Sequence, residues 1–225
     1  MFPAGDETPR YSRPIVTYLL IGVNVGVFII EWFILDEWGY ELAILRYGFI
    51  PRVLTVNPAD GVFRMFTSMF LHADPLHILG NMIFLYIFGD NVEDRMGHVK
   101  YFFLYLFFGV AASLMHYAID PASIIPAIGA SGAISGVMGA YLVMFPYARV
   151  RVFYRFFLVR LPAVFYLGFW FLMQLVESML PGYTGIAYWA HIGGFIAGMI
   201  VALLFFRRKP SRPSVQYYYY YRGYA

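Results

Sequence analysis

A serine set among small residues, Gly129-Ala130-Ser131-Gly132, opens an apolar segment that continues Ala133-Ile134-Ser135-Gly136-Val137-Met138-Gly139-Ala140. A hydroxyl is a weak nucleophile unless a base takes its proton and donors stabilise the oxyanion it generates. Suitable partners are present. His191 lies in the last apolar segment, and His77 and Asn81 lie in the second, four residues apart and so on one helix face. A serine at a helix start also has free backbone N–H groups beside it. Ser131 as nucleophile, His191 as base, and His77, Asn81 and the Ser131 amide as oxyanion donors would make a set for acyl transfer to water.

Competing chemistries lack residues. The chain has no cysteine, which excludes thiol catalysis, disulfides and Cys-ligated metals. His72 and His77 are spaced H-x4-H without the glutamate of a zinc-protease H-E-x-x-H helix, so no metal and no cofactor is expected. Each residue also has a plainer use. Asn81 alone is as readily an interhelical hydrogen-bonding group; Ser135, Asn24 and Glu31 read as packing or interface residues, and His98 and His116 as interfacial or structural.

The elements that must position this set are membrane helices. Of 225 residues, 61% are hydrophobic, 21% aromatic and only 13% charged, against about 25% charged in a soluble domain; the mean hydropathy is +0.65. The expectation is an all-α polytopic membrane protein of one compact domain. Six spans are predicted: about Ile15 to Leu35, Leu76 to Phe88, Val99 to Ile119, Ser131 to Phe145, Val152 to Val176 and Ala187 to Phe206. The first is too long for a signal-peptide core and reads as a retained helix. Residues 1–14 form a short polar arm, 15–206 the helical domain, and 207–225 a basic, tyrosine-rich tail expected to be disordered. The aromatic loop between the first two spans is expected to lie in the membrane interface. With both termini cytoplasmic, all but Arg46, Arg52 and Arg64 of the 16 lysines and arginines fall on the inner side, as positive-inside bias requires.

That topology sends spans two, four and six in the same direction, from outside to inside, and places His77, Asn81, Ser131 and His191 near the outer face. At ~1.5 Å per residue the fourth span covers about 22 Å of a core roughly 30 Å thick, so Ser131 lies on the order of 8 Å deep and His191 roughly 6 Å. Small residues recur every fourth position in both spans, Gly132 and Gly136 in one, Gly194 and Gly198 in the other. Such stripes let helices approach closely in lipid, which predicts that spans four and six pack together and bring Ser131 to His191.

At this point the chain resembles the rhomboid family of intramembrane serine proteases. Gly129-Ala130-Ser131-Gly132 is similar to its GxSG motif, Ala190-His191-Ile192-Gly193-Gly194 to its AHxxG motif, and the stretch from His72 to Asn81 to its H-x4-H-x3-N pattern; Glu93-Asp94-Arg95 resembles its E-x-R element. The resemblance implies a six-helix rhomboid-like bundle with a water-filled cavity, a Ser131–His191 dyad, oxyanion donors His77, Asn81 and Ser131, and supporting roles for Gly129, Gly132 and His72. It implies membrane-protein substrates cleaved near the outer face within a lipid bilayer, and a lateral gate formed by span five and the cap from Gly182 to Tyr188. A tyrosine that follows the nucleophile by four residues in some members is Ser135 here, and Phe63-Arg64 is the nearest match to a Trp-Arg pair of the first loop. No nucleic-acid partner is expected, and a prokaryotic cell membrane is the expected location. The alternative is a catalytically silent rhomboid-like adaptor that binds membrane helices. A transporter fits less well, because no internal repeat is found and the membrane acids, Glu31 and Glu177, sit at span edges.

Overall fold

The structure, a computed structural model, describes residues 2–155, 157–181 and 185–206. Helix α1 (Ile15–Ile29) runs on through a wider π-type stretch, Ile30–Ile34. The first loop folds into three short helices, α2 (Glu37–Tyr47), α3 (Pro51–Val56) and α4 (Pro58–Thr67), and a 3-10 turn, Ser68–Phe70. Then come α5 (Pro75–Met96), α6 (His98–Ile119), α7 (Ser131–Met144), α8 (Ala163–Met179) and α9 (Tyr188–Phe205). Among the described residues, Ile15–Ile34, His98–Ile119 and Tyr188–Phe205 are long and apolar enough to cross a membrane; α7 and α8 are shorter apolar helices. The tail and residues 182–184 of the expected cap lie outside the described residues.

The bundle is built around α7. From Gly132 to Tyr141 every residue of this helix is buried, so a segment of ordinary apolar content becomes the core post against which α5, α6 and α9 lean. Its closest neighbour is α9, and the small-residue stripes explain the approach. A Cβ added to Gly194 would lie 2.0 Å from the Gly132 carbonyl oxygen, and one added to Gly198 only 1.8 Å from that of Gly136. The expected pairing of these two stripes is therefore what the backbone shows.

The all-α expectation needs correcting. Phe2–Asp6 (β1), Arg149–Tyr154 (β2) and Phe157–Pro162 (β3) form a three-stranded antiparallel sheet in the order β1-β2-β3. The fifth span, expected from Val152, therefore begins as a hairpin and becomes helical only at Ala163. The physical reason lies in the period. Val150 and Val152 are fully buried while Arg149 is exposed and Arg151 half-buried, the two-residue alternation of a strand, which a count of apolar residues averages away. The start of the polar arm belongs to this sheet: β1 pairs with β2, and the Asp6 carboxylate accepts from Tyr141 Oη at 2.6 Å and Asn91 Nδ2 at 3.0 Å.

Helix α5 is two turns longer than its expected span because its polar end has a partner. Glu93 is fully buried, and its carboxylate accepts the N–H groups of Val16 (2.8 Å) and Thr17 (2.7 Å) and the Thr17 hydroxyl (2.7 Å), with His98 Nδ1 at 2.6 Å. An anion thus satisfies the open donors at the start of α1, where the helix dipole favours it. Glu93→Ala is expected to lower stability by about 3 kcal/mol. Thermal unfolding in detergent measures this, and an unchanged midpoint would mean that α1 is not docked through Glu93.

Arg64 is buried in the first loop, where it donates to Asp60 (2.9 Å) and to the Leu45 carbonyl (2.5 Å). Arg46 binds the other Asp60 oxygen at 2.9 Å, tying α2 to α4. Desolvation pushes the Asp60 carboxyl up, but the hydrogen bonds from Arg64 and Arg46 outweigh it and leave the group below its ordinary value.

Candidate active site

Ser131 is the first residue of α7, and its Oγ lies 2.8 Å from His191 Nε2. The two are brought together by the α7–α9 contact just described: with glycines at the crossing, the helix axes approach until side chains one turn above can touch. The other His191 ring nitrogen, Nδ1, is 2.7 Å from Gln174 Oε1 on α8. Trp170, one turn earlier on α8, packs its ring 6.0 Å from that of His191. Ser135, expected to serve packing, is buried, donates to the Ser131 carbonyl at 2.7 Å and also lines the cavity described below.

His77 and Asn81 approach from α5. Asp74 caps this helix by accepting the N–H groups of Leu76 (2.8 Å) and His77 (2.9 Å), with Pro75 in the first turn, a combination suited to a helix start. The Ala73 N–H donates to His77 Nδ1 at 3.3 Å, which leaves the ring proton on Nε2. That nitrogen faces Gly129: a Cβ added there would lie 2.7 Å from it. Gly129 also has φ +117°, a backbone that side chains disfavour, and its N–H donates to the Ser68 carbonyl at 2.9 Å. Asn81 is 7% exposed, and its Nδ2 is buried without a partner among the described residues.

His72 is fully buried with its ring edge-on to His77 at 5.1 Å, and its backbone N–H donates to Glu31 at 3.2 Å. Burial, reinforced by the neighbouring His77, pushes the His72 imidazole down to about 4, so it is neutral at neutral pH. Gly132 fits against the Cβ of Ala112, which a side chain on it would meet at 2.7 Å. A cavity of about 900 Å³ opens over the group, lined by Ser131, His191, His77, Asn81, Trp170 and His116 among others. No group of three or more metal-binding side chains occurs among the described residues.

The family model of the Rhomboid domain matches residues 59–208, a stretch that contains every residue just named except Glu31. The chain belongs to the rhomboid family. It is 31% identical over 168 residues to RHOMBOID-like protein 1 of Arabidopsis thaliana, covering 75% of this chain and 40% of that protein. With the rhomboid protease GluP of Bacillus subtilis it shares 28% identity over 197 residues, 85% of this chain and 35% of GluP. With YdcA of the same bacterium it shares 27% over 216 residues, 94% of this chain and 100% of YdcA. The chain thus spans less than half the length of the plant protein and of GluP. Together with its apolar helices, family membership makes it an integral membrane protein.

Of the residues singled out by the rhomboid resemblance, Ser131, His191, His77 and Asn81 line this cavity, whereas Glu93 lies at the other end of α5 against the start of α1. Gln174 and Trp170 were not singled out. Gln174 stands alone as an amide in Phe169-Trp170-Phe171-Leu172-Met173-Gln174-Leu175-Val176, one turn after Trp170 and two after Leu167. An uncharged polar group on the inward stripe of a membrane helix needs a partner, and that signal was available. His116, expected to be interfacial or structural, lines the cavity.

Proposed function

We propose that this rhomboid is an intramembrane serine endopeptidase that cleaves transmembrane segments of membrane-protein substrates near the outer face. The observation that carries the reading is the 2.8 Å contact between Ser131 Oγ and His191 Nε2 at a cavity that also receives His77 and Asn81. In this mechanism Oγ attacks the scissile carbonyl carbon while Nε2 takes the hydroxyl proton. The oxyanion is held by the Ser131 N–H, His77 Nε2–H and the free Asn81 amide. His191 then protonates the leaving amine, and the acyl group remains as an ester on Ser131. Water, deprotonated by the same nitrogen, hydrolyses that ester and restores the hydroxyl.

A site below the membrane surface must be reached by water, which accounts for polar groups lining a cavity instead of facing lipid. The accompanying topology has six spans, α1, α5, α6, α7, α8 and α9, with both termini cytoplasmic in a prokaryotic cell membrane. The β2–β3 hairpin, with Arg149, Arg151, Arg155 and Arg160, then falls on the inner side.

The test is fluorophosphonate labelling of the detergent-solubilised protein, paired with cleavage of a model transmembrane substrate in liposomes. Labelling and cleavage together support the protease. A folded protein that does neither is the helix-binding adaptor instead. Asn81→Ala is expected to lower kcat by about 100- to 1000-fold, the loss typical of one oxyanion donor, with KM little changed. A kcat within threefold of wild type would remove Asn81 from the oxyanion hole.

A further inference from the structure

Resting on the protease reading, we infer that Gln174 is a positioning residue that selects the tautomer and ring orientation of His191, so that a third helix holds the Ser131–His191 pair in register. An amide oxygen only accepts hydrogen bonds. With Gln174 Oε1 at 2.7 Å from Nδ1, the imidazole proton resides on Nδ1, and Nε2 presents its lone pair to the Ser131 hydroxyl at 2.8 Å. The opposite tautomer would put a proton on Nε2 and leave no base for the serine.

Burial supports the assignment. Helix α8 turns one stripe inward, Ala163, Tyr166, Leu167 and Gln174, and Gln174 is the only amide on it, 8% exposed. An apolar side chain of the same length would pack there without the desolvation that an amide suffers. What the amide adds is the bond to Nδ1. Trp170 and Gln174 lie on one face of α8, so the His191 ring meets a tilted Trp170 ring 6.0 Å away and a directed hydrogen bond from its Nδ1 to Gln174.

The measurement is kcat and KM in liposomes, with fluorophosphonate labelling rates and melting curves, for wild type, Ser131→Ala, Gln174→Met and Gln174→Glu. Gln174→Met keeps the length and removes the acceptor; kcat and the labelling rate are expected to fall on the order of 100-fold, the scale of a misplaced reacting group, with KM within about threefold. Gln174→Glu keeps an acceptor at the same reach and is expected to recover kcat to within about tenfold of wild type. If Gln174→Met does not fold, Gln174→Asn, too short to span the contact, takes its place with the same expectation. Wild-type kcat in the apolar variant, an equal loss in the apolar and Glu variants, or a change confined to KM would each overturn the inference. A wild type that neither labels nor cleaves would overturn the protease reading itself, which separates the two failures.

Discussion

Ser131→Ala is expected to abolish cleavage, lowering kcat by at least about 10⁵-fold, and to abolish fluorophosphonate labelling while leaving the melting temperature unchanged. The size follows from the chemistry: without Oγ no acyl-enzyme forms, and what remains is binding and oxyanion stabilisation of a direct attack by water. His191→Ala is expected to lose nearly as much, because an unassisted hydroxyl at neutral pH is a poor nucleophile. The double variant should be little worse than either single one, since residues that act as a unit are not additive. Melting should not move, because Ser131 stands at a helix start beside a cavity, not in a packed layer. Labelling that survives Ser131→Ala would assign the nucleophile to another serine, and independent, additive losses would break the pairing that the 2.8 Å contact implies.

Gly198→Val is expected to be the most damaging single change to stability. An added Cβ at this position would lie 1.8 Å from the carbonyl oxygen and 2.6 Å from the carbonyl carbon of Gly136. Both atoms are backbone in the middle of a buried helix, so neither can step aside as a flexible side chain could. Overpacking of this kind commonly removes about 1–3 kcal/mol and more where nothing yields; here α7 and α9 must separate, taking Ser131 away from His191. The valine variant is expected not to accumulate as folded protein, and Gly198→Ala to lose about 3 kcal/mol together with most of its activity. Gly22 is the internal comparison. Nothing lies within 4 Å of a Cβ built there, and Gly22→Ala in α1 is expected to be neutral or to stabilise by up to about 1 kcal/mol through helix propensity. The folded yield of Gly198→Val, with thermal unfolding of Gly198→Ala, Gly22→Ala and wild type in one detergent, decides it; equal midpoints for Gly198→Ala and wild type would mean that the helices do not meet as closely as described.

The sequence by itself determined which residues carry the candidate chemistry and which helices hold them. Ser131, His191, His77 and Asn81 are legible because a hydroxyl, two imidazoles and an amide stand out in apolar surroundings, and the Gly132–Gly136 and Gly194–Gly198 stripes are legible because a four-residue period is local. Helices α6, α7 and α9 accordingly begin and end within a residue of expectation. What only the tertiary structure decided depends on partners distant in the chain. The strand character of Phe2–Asp6 exists because β2 offers it an edge almost 150 residues later, and no periodicity within five residues could announce that. The polar end of α5 stays helical because Glu93 meets the open N–H groups of α1. Gln174 is a single amide among apolar residues until α8 sets it against Nδ1 of His191. A side chain's type is written in the sequence, but a hydrogen bond needs two groups in register, and that register is set by the packing of whole helices.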